Sequence, residues 1–235
     1  MLDQAFESLK SLNWGSDPSP LTAIDDAIAE SHGNTDARKD LEQRLLAFVT
    51  GDSTEAAKDY AFRQLFLVAG PASVETLGGL LTNHRWSHMA RNVLERMEGE
   101  DAVKSLRSAL KITSGPLQAG IATSLGARQD DASVETLSGL VSGVDPDVGH
   151  AAVLALGAIR SQKAADALAQ AKSAYPEVSE AIPDATLACA EGLLKHGHAD
   201  AAAAVYKRLA TSDVPKHIKL AASRGMLTSA NPNKQ

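Results

Sequence analysis

The decapeptide Ala72–Leu81, ASVETLGGLL, returns as ASVETLSGLV at Ala132–Val141, 60 residues later, and a weaker copy, AVKSLRSALK, lies midway at Ala102–Lys111. A period near 30 residues means that each unit is one supersecondary piece whose apolar face cannot be hidden within the unit and must be buried on its neighbours. The chain is therefore stacked rather than folded around one centre. Forty-one alanines against nine aromatic residues point to helices: alanine has the best helix propensity, whereas a sheet protein needs many β-branched and aromatic residues. The expected class is all-α.

Helical spacing is clearest in DPDVGHAAVLALGAI, where Val148, Ala151, Ala152, Ala155, Leu156 and Ile159 form one apolar stripe. Asp145 stands where an N-cap accepts the free N–H groups of the first turn, and Pro146 where no N–H is needed. The preceding helix carries Val134, Leu137, Val141 and Val144. A shift of 31 superimposes Leu125-Gly126 on Leu156-Gly157, and Gly192 and Gly225 continue the glycine series at steps of 35 and 33. Small residues there predict close packing of adjacent helix pairs. Upstream, Asp52 with Glu55 reads as a capping box, and Ser19-Pro20, Thr35-Asp36 and Ser87 read as helix starts. The count is about seven helix pairs, near 2–32, 36–68, 71–98, 100–127, 131–159, 161–195 and 198–229. Residues 231–235, NPNKQ, read as a loose tail. No linker rich in Gly, Pro or Ser divides the pairs, so a single array over 1–230 is expected.

A Leu-rich first helix, an Asp-Pro-Asp turn, and VGHAAVLALGAI ending in a repeated Leu-Gly pair resemble HEAT repeats, in particular the short PBS-lyase HEAT-like variety of the armadillo-type α-solenoids. The basic residue that such units often carry after the turn is replaced here by Gly149, Ser87 and Gln118, which predicts that inter-repeat charge ladders are missing. The resemblance implies a right-handed α-α superhelix whose second helices line a concave face. It also implies functions dominated by protein binding, with rarer enzymatic members that handle tetrapyrroles or damaged DNA.

In the second helices, positions aligned with His150, Val153 and Leu154 are expected to face the concave side. One unit earlier these are Ala119, Ala122 and Thr123; two units earlier they are His88, Arg91 and Asn92. The candidate binding set is therefore His88, Arg91, Asn92, Thr123, His150 and Leu154, a mixed polar and apolar patch on rigid helices. Trp86, aligned with Val148, is expected to fill space between helices.

Catalytic and metal chemistry find no foothold in the sequence. His84 with His88 and His196 with His198 supply too few ligands for zinc. Cys189 falls on the ridge of Leu154 if the 35-residue step is taken literally, but a lone cysteine among alanines reads better as a small buried hydrophobe. Asp25-Asp26 and Asp130-Asp131 are adjacent, so on a helix their side chains diverge or cap its start. No phosphate loop, nucleophile elbow or zinc-protease motif is present, and no catalytic residue, cofactor or metal is expected.

The net charge is -6, which disfavours nucleic acid and anionic lipid, and no apolar run is long enough to span a membrane. Charge is polarised: residues 1–50 hold nine acids and four bases, and residues 195–235 hold seven bases and two acids. That polarity suits either an acidic partner at Lys207, Arg208, Lys216, Lys219 and Arg224 or head-to-tail self-association. The N-terminus lacks a basic region followed by an apolar core, so a cytoplasmic location is expected, or export if a leader has been removed. The expected function is a non-enzymatic scaffold that binds a protein or peptide on the concave face. The alternatives are a tetrapyrrole-handling enzyme like the bilin lyases and a nucleic-acid binder.

Overall fold

A computed structural model describes residues 1–230, and the expected tail at 231–235 lies outside the described residues. Fourteen α-helices and no strand occur among the described residues. They are α1 (Leu2–Lys10), α2 (Thr22–Glu30), α3 (Thr35–Thr50), α4 (Glu55–Val68), α5 (Ser73–Gly79), α6 (Ser87–Arg96), α7 (Glu100–Ile112), α8 (Gly115–Ala127), α9 (Val134–Val141), α10 (Pro146–Ile159), α11 (Gln162–Gln170), α12 (Pro176–Lys195), α13 (Ala199–Thr211) and α14 (Lys216–Ser229). Helices pair in sequence, α1 with α2, α3 with α4 and α5 with α6 in the first part of the chain, and α9 with α10, α11 with α12 and α13 with α14 in the last. The chain forms two compact units, one spanning Met1–Ala109 and the other beginning at Leu110.

Local sequence sets several helix starts. Asp145 accepts from the N–H groups of Asp147 and Val148 at 3.0 and 3.2 Å, with Pro146 in the first turn, as expected. Asn34, Thr54 and Ser161 cap α3, α4 and α11 in the same way. Two starts differ from the expectation. Thr54, not Asp52, caps α4, because a cap must stand directly before the first helical residue in an extended conformation; its hydroxyl also donates to the Leu12 carbonyl. Ser87 is already helical, since the Asn83 side chain accepts from the Arg85 and Trp86 N–H groups and turns the chain before it.

In the second unit, α10 is walled in by α8, α9, α11 and α12. Its buried set includes Val148, Ala152, Ala155, Leu156 and Ile159, but also Gly149 and Val153, while Ala151 is half-buried. A single stripe underestimates the burial of a helix with neighbours on both sides. Val144, expected in the apolar face of α9, lies beyond that helix and is 92% exposed.

Glycine sets the spacing of the second helices. A Cβ on Gly126 would stand 2.7 Å from the Cα of Ala155, and one on Gly157 would stand 2.9 Å from the Cα of Ala185. These positions repeat at steps of 31 and 30 residues, so Leu187, not Gly192, is the α12 counterpart of Gly157. Gly192 instead lies against the side chain of Arg160, and Gly225 against the ring of Tyr206. The glycine series is thus two different packing solutions. Gly149, at the position where HEAT units often carry a basic residue, is buried against the Val141 carbonyl and Val178. Side chains that bridge neighbouring helices sit elsewhere: Arg44 reaches Asp3 at 2.8 Å and Arg208 reaches Asp166 at 3.2 Å.

The repeated decapeptide holds a buried serine in both full copies. Ser73 donates to Glu42 Oε1 at 2.5 Å, and the same oxygen accepts from the N–H groups of Gly70 and Ser73 at 2.8 and 2.9 Å. Ser133 donates to Asp130. Each copy therefore satisfies its serine with a carboxylate, which in one comes from α3 and in the other from the adjacent turn. Glu42 is only 3% exposed, so its carboxylate at the start of α5 serves the donors of buried Ser73 and the N–H of half-buried Gly70.

The packing and its buried hydrogen bonds yield three predictions. Gly157→Val forces a backbone shift against Ala185 and is expected to cost about 2 kcal/mol in urea denaturation. Gly139→Ala, where a Cβ meets nothing within 4 Å, is expected to stabilise by about 0.5–1 kcal/mol. Glu42→Ala strips three donors of their acceptor, two of them on buried Ser73, and is expected to cost about 3 kcal/mol, with Glu42→Gln losing less; equal stability of Glu42→Ala and wild type in the same assay contradicts this role.

Candidate functional site

The candidate residues fall on the second helices of both units. In the first unit, α4 and α6 lie side by side. The ring of Phe62 stacks on Trp86 with centroids 5.6 Å apart, so Trp86 fills space between helices as expected. Beside this stack Arg63, Phe66, Met89 and Asn92 line a hollow of about 120 Å³. Phe66 also borders a second hollow of about 420 Å³, edged by Arg38, Leu67, Arg96 and Met97. Phe66 is 38% exposed and Leu67 53% exposed. The Arg96 guanidinium lies 4.5 Å over the Phe66 ring, a cation–π contact that keeps the cation at the groove surface. Arg38 donates to the Leu67 carbonyl at 2.6 Å, and Arg63 pairs with Asp59.

Around this groove the expected residues divide. His88 is exposed, with its Nε2 3.5 Å from the amide nitrogen of half-buried Asn92. Arg91 is mostly enclosed: its side chain is 15% exposed, it stands 3.8 Å from Glu95, and burial pulls its pKa below the ordinary arginine value. It is a packed cation more than a surface one.

In the second unit, Thr123 of α8 and Leu154 of α10 are exposed, Leu154 by 53%, and His150 is half-buried. The Thr123 hydroxyl donates back to the Ala119 carbonyl at 3.0 Å. The aligned positions Ala122 and Val153, expected on the open face, are both fully buried. They lie on the flank that meets the neighbouring second helix, which a one-stripe reading leaves in solvent. The register set by Gly126 and Gly157 places Asp184 on the ridge of Thr123 and Leu154, and Glu180 on that of His150; both acids are exposed.

Cys189 does not belong to that ridge. It is fully buried, its thiol lies 3.4 Å from the Leu156 carbonyl, and burial pushes its pKa up to about 12. A thiol held protonated at neutral pH is no nucleophile. The adjacent acids also serve structure: Asp25 accepts from Tyr60 and Gln64 at 2.7 and 2.8 Å, and Asp131 accepts from Ser161. Tyr206, the one aromatic in the basic C-terminal helices, is 2% exposed and cannot stack on a base. No group of three or more His, Cys, Asp or Glu side chains suited to a metal ion occurs among the described residues. No helix among them is long and apolar enough to cross a membrane.

The sequence reading missed Phe66, Met89, Arg63 and Arg96. The available signal was FRQLFLV, in which Phe62 and Phe66 lie four apart on one helix face. The repeat reaches that segment by phase alone, which leaves its faces unassigned.

Residues 103–185 match the family model of HEAT repeats. The chain is similar to the crystal structure of an archaeal HEAT-like repeats protein from Thermococcus onnurineus NA1, with a TM-score of 0.43 and 16% identity over 98% of this chain and 97% of that one. It is also similar to an engineered protein, with a TM-score of 0.32 and 22% identity over 98% and 97% of the two chains. No curated protein matches. The family match thus assigns HEAT repeats to residues 103–185, within a chain whose described residues form helices and no strand.

The buried thiol yields a prediction. Below about pH 8.5 the thiol is protonated whether the chain is folded or unfolded, so its burial contributes fully to stability there; the contribution falls as the pH rises toward 12. Iodoacetamide at mildly alkaline pH is expected to leave native Cys189 unmodified and to label it once urea passes the unfolding midpoint. Labelling of the native protein at the rate of a free thiol contradicts the burial.

Proposed function

We propose that this protein is a non-enzymatic scaffold that binds a protein or peptide on the exposed face of its second helices. The α4–α6 groove is the main anchor point. One observation carries the reading: an aromatic ring, Phe66, stands partly exposed between two hollows with an arginine laid over it. Buried aromatic and arginine anchors dominate binding energy at protein interfaces, and Phe66 and Arg96 already hold their positions before a partner arrives. The helices have lost their backbone freedom on folding, so little entropy remains to be lost on binding.

The chemistry of the groove favours one kind of peptide. Met89, Phe62 and Phe66 offer an adaptable apolar floor. Arg96, held by a ring rather than by a carboxylate, offers a cation to an acidic side chain next to the apolar anchor. His88 and Asn92 add polar contacts at the rim. In the second unit, Thr123, His150 and Leu154 make a second surface of mixed polarity, bordered by Glu180 and Asp184. It would suit a partner segment with basic character.

The test is selection of peptides from a displayed random library on the wild-type protein, followed by affinity measurement on variants. Selected peptides are expected to pair a large apolar residue with Asp or Glu, and to bind Phe66→Asp and Arg96→Glu at least about tenfold more weakly. Peptides that bind those two variants as tightly as wild type would place the binding surface elsewhere.

A further inference from the structure

The last described helix and the first helix pair carry surfaces that fit one another. On α14, Lys216, Leu220, Ser223 and Leu227 follow one another at helical spacing and are all exposed, Leu220 by 62% and Leu227 by 72%. Arg224 is exposed beside this stripe and Lys219 half-exposed, and none of these three cations forms an ion pair among the described residues. Two leucines two turns apart within a basic frame are an unusual surface for a soluble helix, whose outer positions are ordinarily polar.

In the first unit, α1 and α2 enclose an open groove of about 850 Å³. Its apolar walls are Leu2, Ala5, Ala23 and Ala27, and its rim carries Asp26 and Glu30. Both acids are exposed, and neither forms an ion pair among the described residues. Alanines on both walls leave room for a ridge of larger side chains, which is how helices pack ridge into groove. Met1 and Leu2 border the groove at the start of α1, and between them and the alanines of α2 it has room for further large side chains, while its rim acids have no ion-pair partner among the described residues. The α14 stripe supplies leucines to fill that room and cations to meet those acids.

We infer that α14 of one copy docks in the α1–α2 groove of a second copy, with Leu220 and Leu227 against the alanine walls and Lys216, Lys219 and Arg224 toward Asp26 and Glu30. The occupant is a second copy because the two complementary surfaces belong to one chain with a strongly divided charge, nine acids to four bases in residues 1–50 and two acids to seven bases in residues 195–235. The contact joins unlike surfaces, so it is heterologous: each copy keeps one free surface of each kind and can add further copies head to tail. Because the rim is charged, the association weakens with salt.

A heterologous contact has a signature that sedimentation velocity reads directly. Wild type at about 0.3 mM protein and low salt is expected to form a concentration-dependent series of oligomers that shrinks as salt rises toward about 0.5 M. A tail-defective variant, Leu220→Asp with Arg224→Glu, and a groove-defective variant, Asp26→Lys with Glu30→Lys, are each expected to remain monomeric. Mixed in equal amounts, they are expected to form a dimer and nothing larger, because each retains the surface that the other lacks; formation of that dimer also demonstrates that both variants are folded. Wild type that stays monomeric at low salt overturns the inference, as do oligomers that persist in either variant. A mixture that fails to dimerise while both variants keep native circular dichroism overturns it equally, and an acidic peptide that saturates α14 without affecting self-association would assign that helix to a different partner.

Discussion

The near-contact of backbone on backbone between successive second helices is the constraint on which the second unit depends. At Gly126 against Ala155 and at Gly157 against Ala185 there is no room for even one added carbon. Side chains on both flanks of α10, among them Val153 and Leu156, then reach full burial. Helices spaced by larger residues would leave gaps that alanine cannot fill, and an interior built so largely of alanine has few atoms to spare for loose packing. Abundant alanine and well-placed glycine are thus two sides of one solution.

The same economy governs polar groups. The serine of the repeated decapeptide is buried in both full copies, and in both its hydroxyl meets a carboxylate. The motif preserves the need for an acceptor but not its source: Glu42 comes from a different helix, whereas Asp130 comes from three residues upstream. A repeat can therefore keep its sequence while its neighbours diverge, provided that each environment returns a partner for the buried donor. Glu42 illustrates how a charged residue becomes a structural element, since one oxygen serves three donors at the start of a short helix.

Exposure divides the candidate residues along lines that periodicity could only partly foresee. His88, Thr123 and Leu154 follow from phase alone, because a helix with one buried stripe must turn its opposite side to solvent. Val153 and Ala122 lie where that logic fails, since a second helix between two neighbours is buried on its flanks as well. Cys189 is the small buried hydrophobe expected of a lone cysteine among alanines; only a literal 35-residue step puts it on the ridge, and that step fails because Gly192 packs on an arginine side chain rather than on the next helix. Phe66 and Arg96 matter through one another, and a ring–guanidinium contact between two helices has no signature along the chain.

Periodicity, alanine content and capping residues by themselves determined that this protein is all-helical and stacked in pairs of about thirty residues, because those properties arise from interactions within a few turns of chain. Tertiary structure alone decided which glycines separate helices, which acid satisfies each buried serine, and which side chains line the α4–α6 groove. Each of these depends on the distance between residues remote in sequence, and a difference of one carbon atom at a helix contact is enough to change it.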